Sequence, residues 1–125
     1  MNAKLIGIFL AGGLGTLARY YLGAQVQNTM GAGFPWGTLA INLLGCFAFG
    51  IIFSAAQERA LIGPEARTIL LVGFMGAFTT YSTFIAESGQ LLASREYLFA
   101  LANIATQLLA GLAVFFLGLS LGRAI

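Results

Sequence analysis

The stretch Gly73-Phe74-Met75-Gly76-Ala77-Phe78-Thr79-Thr80-Tyr81-Ser82-Thr83-Phe84 decides how this chain is read. It lies inside an apolar run from about 67 to 92, long enough to cross a bilayer. Its middle is poor helix material, with glycines at 73 and 76 and hydroxyl residues on both sides of Tyr81. Glycine weakens a helix interior, and Ser and Thr offer the backbone competing local hydrogen bonds. Irregular backbone at membrane depth persists only where protein buries it or a wet cavity lies beside it. The stretch from Gly76 to Ser82 therefore reads as a break in a membrane helix. Such breaks present carbonyls and amides to ions or solutes. The same residues also fit an unbroken helix whose hydroxyls bond back to the preceding turn.

The rest of the chain supports the membrane setting. Of its 125 residues, 59% are hydrophobic and 8% charged. A soluble domain carries about 25% charged residues. Each spanning helix needs about 20 apolar residues, so the length accommodates one all-α domain of four spans, at about 5–22, 36–56, 67–92 and 97–121. The charges are Lys4, Arg19, Arg59, Arg67, Arg95 and Arg123 against Glu58, Glu65, Glu87 and Glu96. They are scattered, which argues against nucleic-acid binding. His and Asp are absent, and the lone Cys46 lies mid-span. An intrachain disulfide, paired metal ligands and a histidine base are thereby excluded, and no enzyme chemistry is expected.

Lys4 ahead of an apolar run resembles a signal peptide, but no small-x-small cleavage site follows and Arg19-Tyr20-Tyr21 reads as an interfacial anchor. Gly7, Ala11 and Gly15 form a stripe that admits a neighbouring helix. Gly13-x-Gly15-x-x-Ala18 matches a dinucleotide fingerprint only superficially, because no strand precedes it and the first acid downstream is Glu58. Gly23 to Phe34 reads as a polar loop. Pro35 suits the first turn of the second helix and Trp36 a membrane boundary. Asn42 lies about 9 Å along that helix, where a carboxamide needs a partner. It is either helix–helix glue or part of a polar pathway. Pro64-Glu65 starts the third helix, and Ser94 is a candidate cap for the fourth. Asn103, Gln107 and Gly111 recur at four-residue spacing and must turn inward in lipid. A single bundle of this size has little room for a pathway and its walls, so any transport activity calls for at least a dimer. Lys4, Arg59, Arg67 and Arg123 on one side, against Arg95 and a membrane-edge Arg19, give a weak positive-inside bias. That bias permits insertion in both senses.

Three segments carry a resemblance. Gly12-Gly13-Leu14-Gly15-Thr16-Leu17-Ala18-Arg19-Tyr20, Pro35-Trp36-Gly37-Thr38-Leu39-Ala40-Ile41-Asn42-Leu43-Leu44-Gly45 and the stretch from Gly73 to Phe84 resemble the signature segments of the CrcB/Fluc fluoride channels. Length, span layout and motif order agree, so the resemblance covers essentially the whole chain. It implies an antiparallel, dual-topology homodimer in the bacterial plasma (inner) membrane that exports fluoride passively. It implies a third helix broken at its centre and a structural sodium ion held there by backbone carbonyls of Gly76 and Thr79. The implied fluoride pathway comprises Asn42, Tyr81 and Phe84, with Thr38, Thr80, Ser82 and Thr83 nearby, Glu87 as a vestibule acid, Asn103 and Gln107 on the fourth helix, and Arg19 at the entrance. Two positions depart from the family pattern. Ala77 stands where glycine is usual, so a positive φ there would be strained. Tyr81 replaces phenylalanine, which keeps a ring edge and adds a hydroxyl.

Two other readings use the same residues differently. A proton-coupled small multidrug exporter needs a membrane-embedded carboxylate, usually in the first span, and here that span has none. A non-transporting assembly protein would use the polar residues only as glue.

Overall fold

The computed structural model describes residues 2–125. Its helices are α1 (Ala3–Met30), α2 (Trp36–Gln57), α3 (Pro64–Ala93) and α4 (Tyr97–Ala124), each long and apolar enough to cross a membrane. Their outward faces carry large apolar residues such as Phe9, Leu14, Leu98, Leu109 and Leu117, as hydrocarbon surroundings require.

α1 is longer than hydropathy suggests. The residues expected to form a loop from 23 onward stay helical to Met30, and only 31–35 connect to α2. Gln27 makes this possible. Its Nε2 donates to the carbonyls of Gly31 and Phe34, and its Oε1 accepts from the Gly37 amide at 3.0 Å. One side chain thus satisfies three backbone groups around the turn, where Gly31 adopts φ +99° and glycine avoids the steric penalty. Arg19 consequently lies about three turns, roughly 16 Å, short of the end of α1, and is not at a helix terminus. Pro35 is the N-cap of α2 and accepts from the Leu39 amide. Ser94 closes α3, whereas Glu96 is the residue that precedes α4. Between them Arg95 turns the chain at φ +62°.

Small residues set the packing. The Gly7, Ala11 and Gly15 stripe meets the first arm of α3 (residues 64–78): a Cβ on Gly7 would strike Ile69, and one on Gly15 would strike the Phe74 carbonyl. Ala11 itself lies 3.0 Å from where a Gly73 Cβ would be. Gly50, Gly118 and Gly122 bring α2 against α4, where a Cβ on Gly50 would lie 2.8 Å from the Leu119 amide nitrogen. Close backbone approach of this kind replaces the missing hydrophobic drive between helices in lipid. Ile41, Leu71, Met75 and Phe78 form the buried centre, with Phe49, Phe53 and Phe74 packed on it. At the end of the bundle holding the α2–α3 connection, Arg123 makes a two-point ion pair with Glu58 at 2.7 and 2.8 Å. This pair holds the Glu58 carboxyl below its ordinary range, chiefly through the Arg123 hydrogen bond.

α3 is bent at its centre. Gly76–Phe78 is helical, Thr79 (φ −84°, ψ 159°) and Thr80 (φ −146°, ψ 114°) are extended, and Tyr81 starts the second arm. The interruption is thus narrower than the Gly76–Ser82 stretch expected. Ala77 is helical, so the strain attached to a positive φ does not arise.

Candidate functional site

Two consecutive extended residues leave backbone groups without helical partners, and the site is built from the way these are met. Thr79 still belongs to the first arm, with its amide and hydroxyl both donating to the Met75 carbonyl at 3.1 and 3.0 Å. An unbroken helix would send the Thr80 amide to the Gly76 carbonyl. It donates instead to Asn42 Oδ1 at 2.8 Å, and Asn42 Nδ2 donates back to the Thr80 carbonyl at 3.0 Å. The carboxamide of Asn42 therefore pairs with Thr80 as a neighbouring peptide group would. Thr80 Oγ1 accepts from the Thr83 amide, an N-cap bond that starts the second arm, and donates to Thr83 Oγ1 at 2.8 Å. Gly45, one turn along α2 from Asn42, makes the room: a Cβ there would strike Thr79 Cγ2 and lie 3.4 Å from the Phe78 ring.

The break collects six of the expected residues in one cavity of about 410 Å³. Asn42, Thr79, Thr80, Tyr81, Phe84 and Gln107 line it, beside Gly45, Cys46 and an apolar wall from α2 and α4. Tyr81 is 74% exposed and Phe84 only 6%, and their rings meet edge to face at 5.9 Å. A second cavity, of about 280 Å³, is lined by Arg19, Thr38, Thr80, Thr83 and Glu87. A third, of about 470 Å³, has Gln27, Glu87, Gln90, Ser94 and Glu96 in its wall. Thr80 borders the first and second cavities, and Glu87 the second and third. A string of polar groups thus runs from the connections at 31–35 and 94–96 inward to the break.

Glu87 accepts from the Thr38 hydroxyl at 2.7 Å, while its other oxygen and Arg19 Nε are buried without partners. They share a cavity but make no ion pair; among the described residues the ion pair is Glu58–Arg123. Asn103 and Ser82 stand apart from these cavities. Asn103 is fully buried, donating to Ser88 Oγ at 3.0 Å, and Ser88 donates to the Phe84 carbonyl. Ser82 is exposed. The fourth-helix row does turn inward, with Gln107 accepting from Asn42 at 3.1 Å and Gly111 facing Cys46. Gln107 sits in a π-wound turn, Thr106–Ala110, a widening often found at functional sites.

Gln27, Gly45 and Ser88 were not singled out from sequence as parts of the site. Spacing carried the signal for two of them: Gly45 is one turn from Asn42, and Ser88 one turn from Phe84.

The donor set also bears on a cation. Among the described residues no group of three or more His, Cys, Asp or Glu is placed to hold a metal. The available hard ligands are backbone oxygens. Gly76 has lost the Thr80 amide as its helical donor, and Thr79 is extended. Gly76 is also exposed at the surface of the protomer. Carbonyls at the end of a helical arm suit a small cation, so these residues fit sodium chemistry.

A family model described as CrcB-like protein, Camphor Resistance (CrcB), matches residues 6–119. The chain belongs to the CrcB family. This family member is 55% identical over 125 residues to a protein of Solidesulfovibrio magneticus, covering 100% of both chains. It is 52% identical over 125 residues to one of Nitrosococcus oceani, and 46% identical over 125 residues to one of Desulforapulum autotrophicum, again with 100% coverage of both chains in each pair. All these relatives carry the name fluoride-specific ion channel FluC. They and the four apolar helices fit a multi-pass protein of the bacterial plasma membrane.

Proposed function

We propose that this CrcB family member is a fluoride-selective channel that lets fluoride leave the cytoplasm down its electrochemical gradient. It is not an enzyme. The observation that carries the reading is the extended Thr79–Thr80 step, which draws Asn42, Tyr81, Phe84 and Gln107 around one cavity. The names of full-length relatives supply the ion.

Fluoride is small and strongly hydrated, so a path must replace its water with donors that do not trap it. The string of cavities is lined by Thr38, Thr80 and Thr83, by Asn42 and Gln107, and by the rings of Tyr81 and Phe84. Ring edges carry partial positive charge. The cavity wall at the break is otherwise apolar. Arg19 and Glu87 occupy the next cavity outward. Arg19, whose Nε is unpartnered, is the cation that attracts the anion there, and Glu87 is held by the Thr38 hydroxyl.

The functional unit we propose is an antiparallel homodimer inserted in both senses. Support comes from the apolar outward faces and the modest charge bias, with Lys4, Arg59, Arg67 and Arg123 set against Arg95 and Arg19. Gly76 and Thr79 of each copy would hold a structural sodium ion through their carbonyls. Such an ion supplies fixed positive charge beside the anion path. Membrane lipid covers the remaining apolar surface.

Fluoride efflux from proteoliposomes, with chloride as the control anion, tests the proposal. Fast fluoride efflux with negligible chloride efflux is the expected result. Equal rates for the two anions, or fluoride flux no faster than from protein-free liposomes, would refute it.

A further inference from the structure

We propose that the cleft between the end of α2 and the start of α3, with Arg67 at its rim, binds an anionic glycerophospholipid. The lipid phosphate pairs with the Arg67 guanidinium, and an acyl chain lies over Phe49 and Phe53. The site stands whether or not the chain conducts fluoride.

The arginines at this end of the bundle are in different states. Glu58 holds Arg123 at two points, and Arg59 Nη1 donates to the Arg123 carbonyl at 2.8 Å. Among the described residues Arg67 has no acid against it. Its guanidinium carbon lies instead 5.5 Å from the centre of the Phe53 ring. Stacking of this kind steadies one face of the guanidinium and leaves its N–H fork for an oxyanion, which it meets at two points. Arg67 and Phe53 both line a cleft of about 380 Å³, together with Phe49, Thr68, Leu71 and Val72. Thr68 has committed its hydroxyl hydrogen to the Pro64 carbonyl at 3.0 Å. The cleft therefore offers one charged side-chain donor at its rim and apolar groups elsewhere.

Depth identifies the occupant. α3 starts at Pro64, so Arg67 lies about 4.5 Å along it, at the level of the headgroups, and Val72 lies about 7–8 Å deeper. Phe53 and Phe49 follow the same direction down the facing part of α2, about 6 and 12 Å from its end at Gln57. Leu71 is buried and Val72 is 62% exposed, so the cleft has a packed floor and an open side. A cation above an apolar slot matches a phosphate above an acyl chain. A free anion would use the arginine alone and leave the aromatic slot empty. The charge of this end selects among lipids. Lys4 belongs to it, because Gly7, one turn on, packs against Ile69 of α3. Lys4, Arg59, Arg67 and Arg123 then face only Glu58 and Glu65, and Glu58 is taken by Arg123. Excess positive charge attracts an anionic headgroup and repels the ammonium of a zwitterionic one.

Native mass spectrometry of the full-length protein tests the assignment, with equal amounts of phosphatidylglycerol and phosphatidylcholine added in detergent. Wild type is expected to retain phosphatidylglycerol in preference. Arg67→Gln should retain about fivefold less of it, the effect of one basic contact at a membrane surface, with phosphatidylcholine unchanged. Arg59→Gln is the control, since that head is already committed, and should alter retention by less than about twofold. A measurement on wild type needs no variant to fold. The Arg67 Nε–H resonance in phosphatidylcholine nanodiscs is expected to shift as phosphatidylglycerol is added, and that of Arg123 to stay put. Equal retention of the two lipids by wild type, undiminished retention by Arg67→Gln, or an unmoved Arg67 resonance overturns the assignment. Displacement of the lipid by inorganic phosphate also overturns it, by making the occupant a free anion. Loss of the dimer in Arg67→Gln overturns it too, by making the occupant a second copy of the chain.

Discussion

Replacing Asn42 by leucine tests whether one side chain holds α3 in its bent form. Leucine keeps the branching at Cγ and is larger, so the substitution opens no cavity; beyond some overpacking, the cost is read in hydrogen bonds. Three are lost: to the Thr80 amide at 2.8 Å, to the Thr80 carbonyl at 3.0 Å and to Gln107 at 3.1 Å. Thr80 is only 8% exposed, so water does not take over. Interhelical hydrogen bonds in membranes average about 0.6 kcal/mol, which sets a floor of roughly 2 kcal/mol for three. Leaving the buried Thr80 amide and carbonyl unpaired adds about 1–3 kcal/mol for each group. A loss of about 3–6 kcal/mol is expected after allowing for partial relaxation. Equilibrium unfolding in mixed micelles measures it, at a fixed protein concentration because subunit association contributes to apparent stability. Fluoride flux should fall in parallel as the break loses its shape. Stability within about 1 kcal/mol of wild type would show that α3 keeps its bend without Asn42, and would refute the role of that side chain as the brace of the break.

Gly45→Ala pushes a methyl group onto Thr79 Cγ2 and the Phe78 ring. It should cost about 1–3 kcal/mol as overpacking and slow fluoride flux; a neutral phenotype in both assays would show that the break has slack. Phe84→Ile keeps bulk but removes the ring edge beside Tyr81, so flux should drop sharply while the protein still assembles. Undiminished flux would take the aromatic pair off the pathway. The Glu58 carboxyl is held below its ordinary range by Arg123. A depressed folded-state pKa means stability that is complete above the unfolded carboxylate pKa and lost as pH falls through the folded one. Melting temperature should therefore decline on acidification through that window, and Glu58→Gln should flatten the decline. Parallel profiles for the two proteins would assign the acid sensitivity elsewhere.

Sequence and tertiary structure divide the determination of this protein along a physical line. Hydropathy is a local property, so the four spans, the inward row on α4 and the small-residue stripe on α1 were legible residue by residue. So was the weakness of α3, because glycine and clustered hydroxyls disfavour a helix whatever surrounds them. What no window of sequence contains is the partner of each orphaned backbone group. The bend falls at Thr79–Thr80 because Asn42 and Gly45 reach it from α2, 38 positions away in the case of the Asn42–Thr80 pair. α1 runs on to Met30 because Gln27 takes up the turn that follows, which carries Arg19 away from the helix end. Gln107 was visible as a polar residue facing inward, but which of its two ends meets Asn42 depends on how Asn42 is turned, and that in turn depends on the Thr80 amide. The sequence by itself settled where the chain meets lipid and where its backbone is weak. The tertiary structure decided which groups answer that weakness and which are left unpaired, because hydrogen-bond partners are assigned by proximity across helices and not by order along the chain.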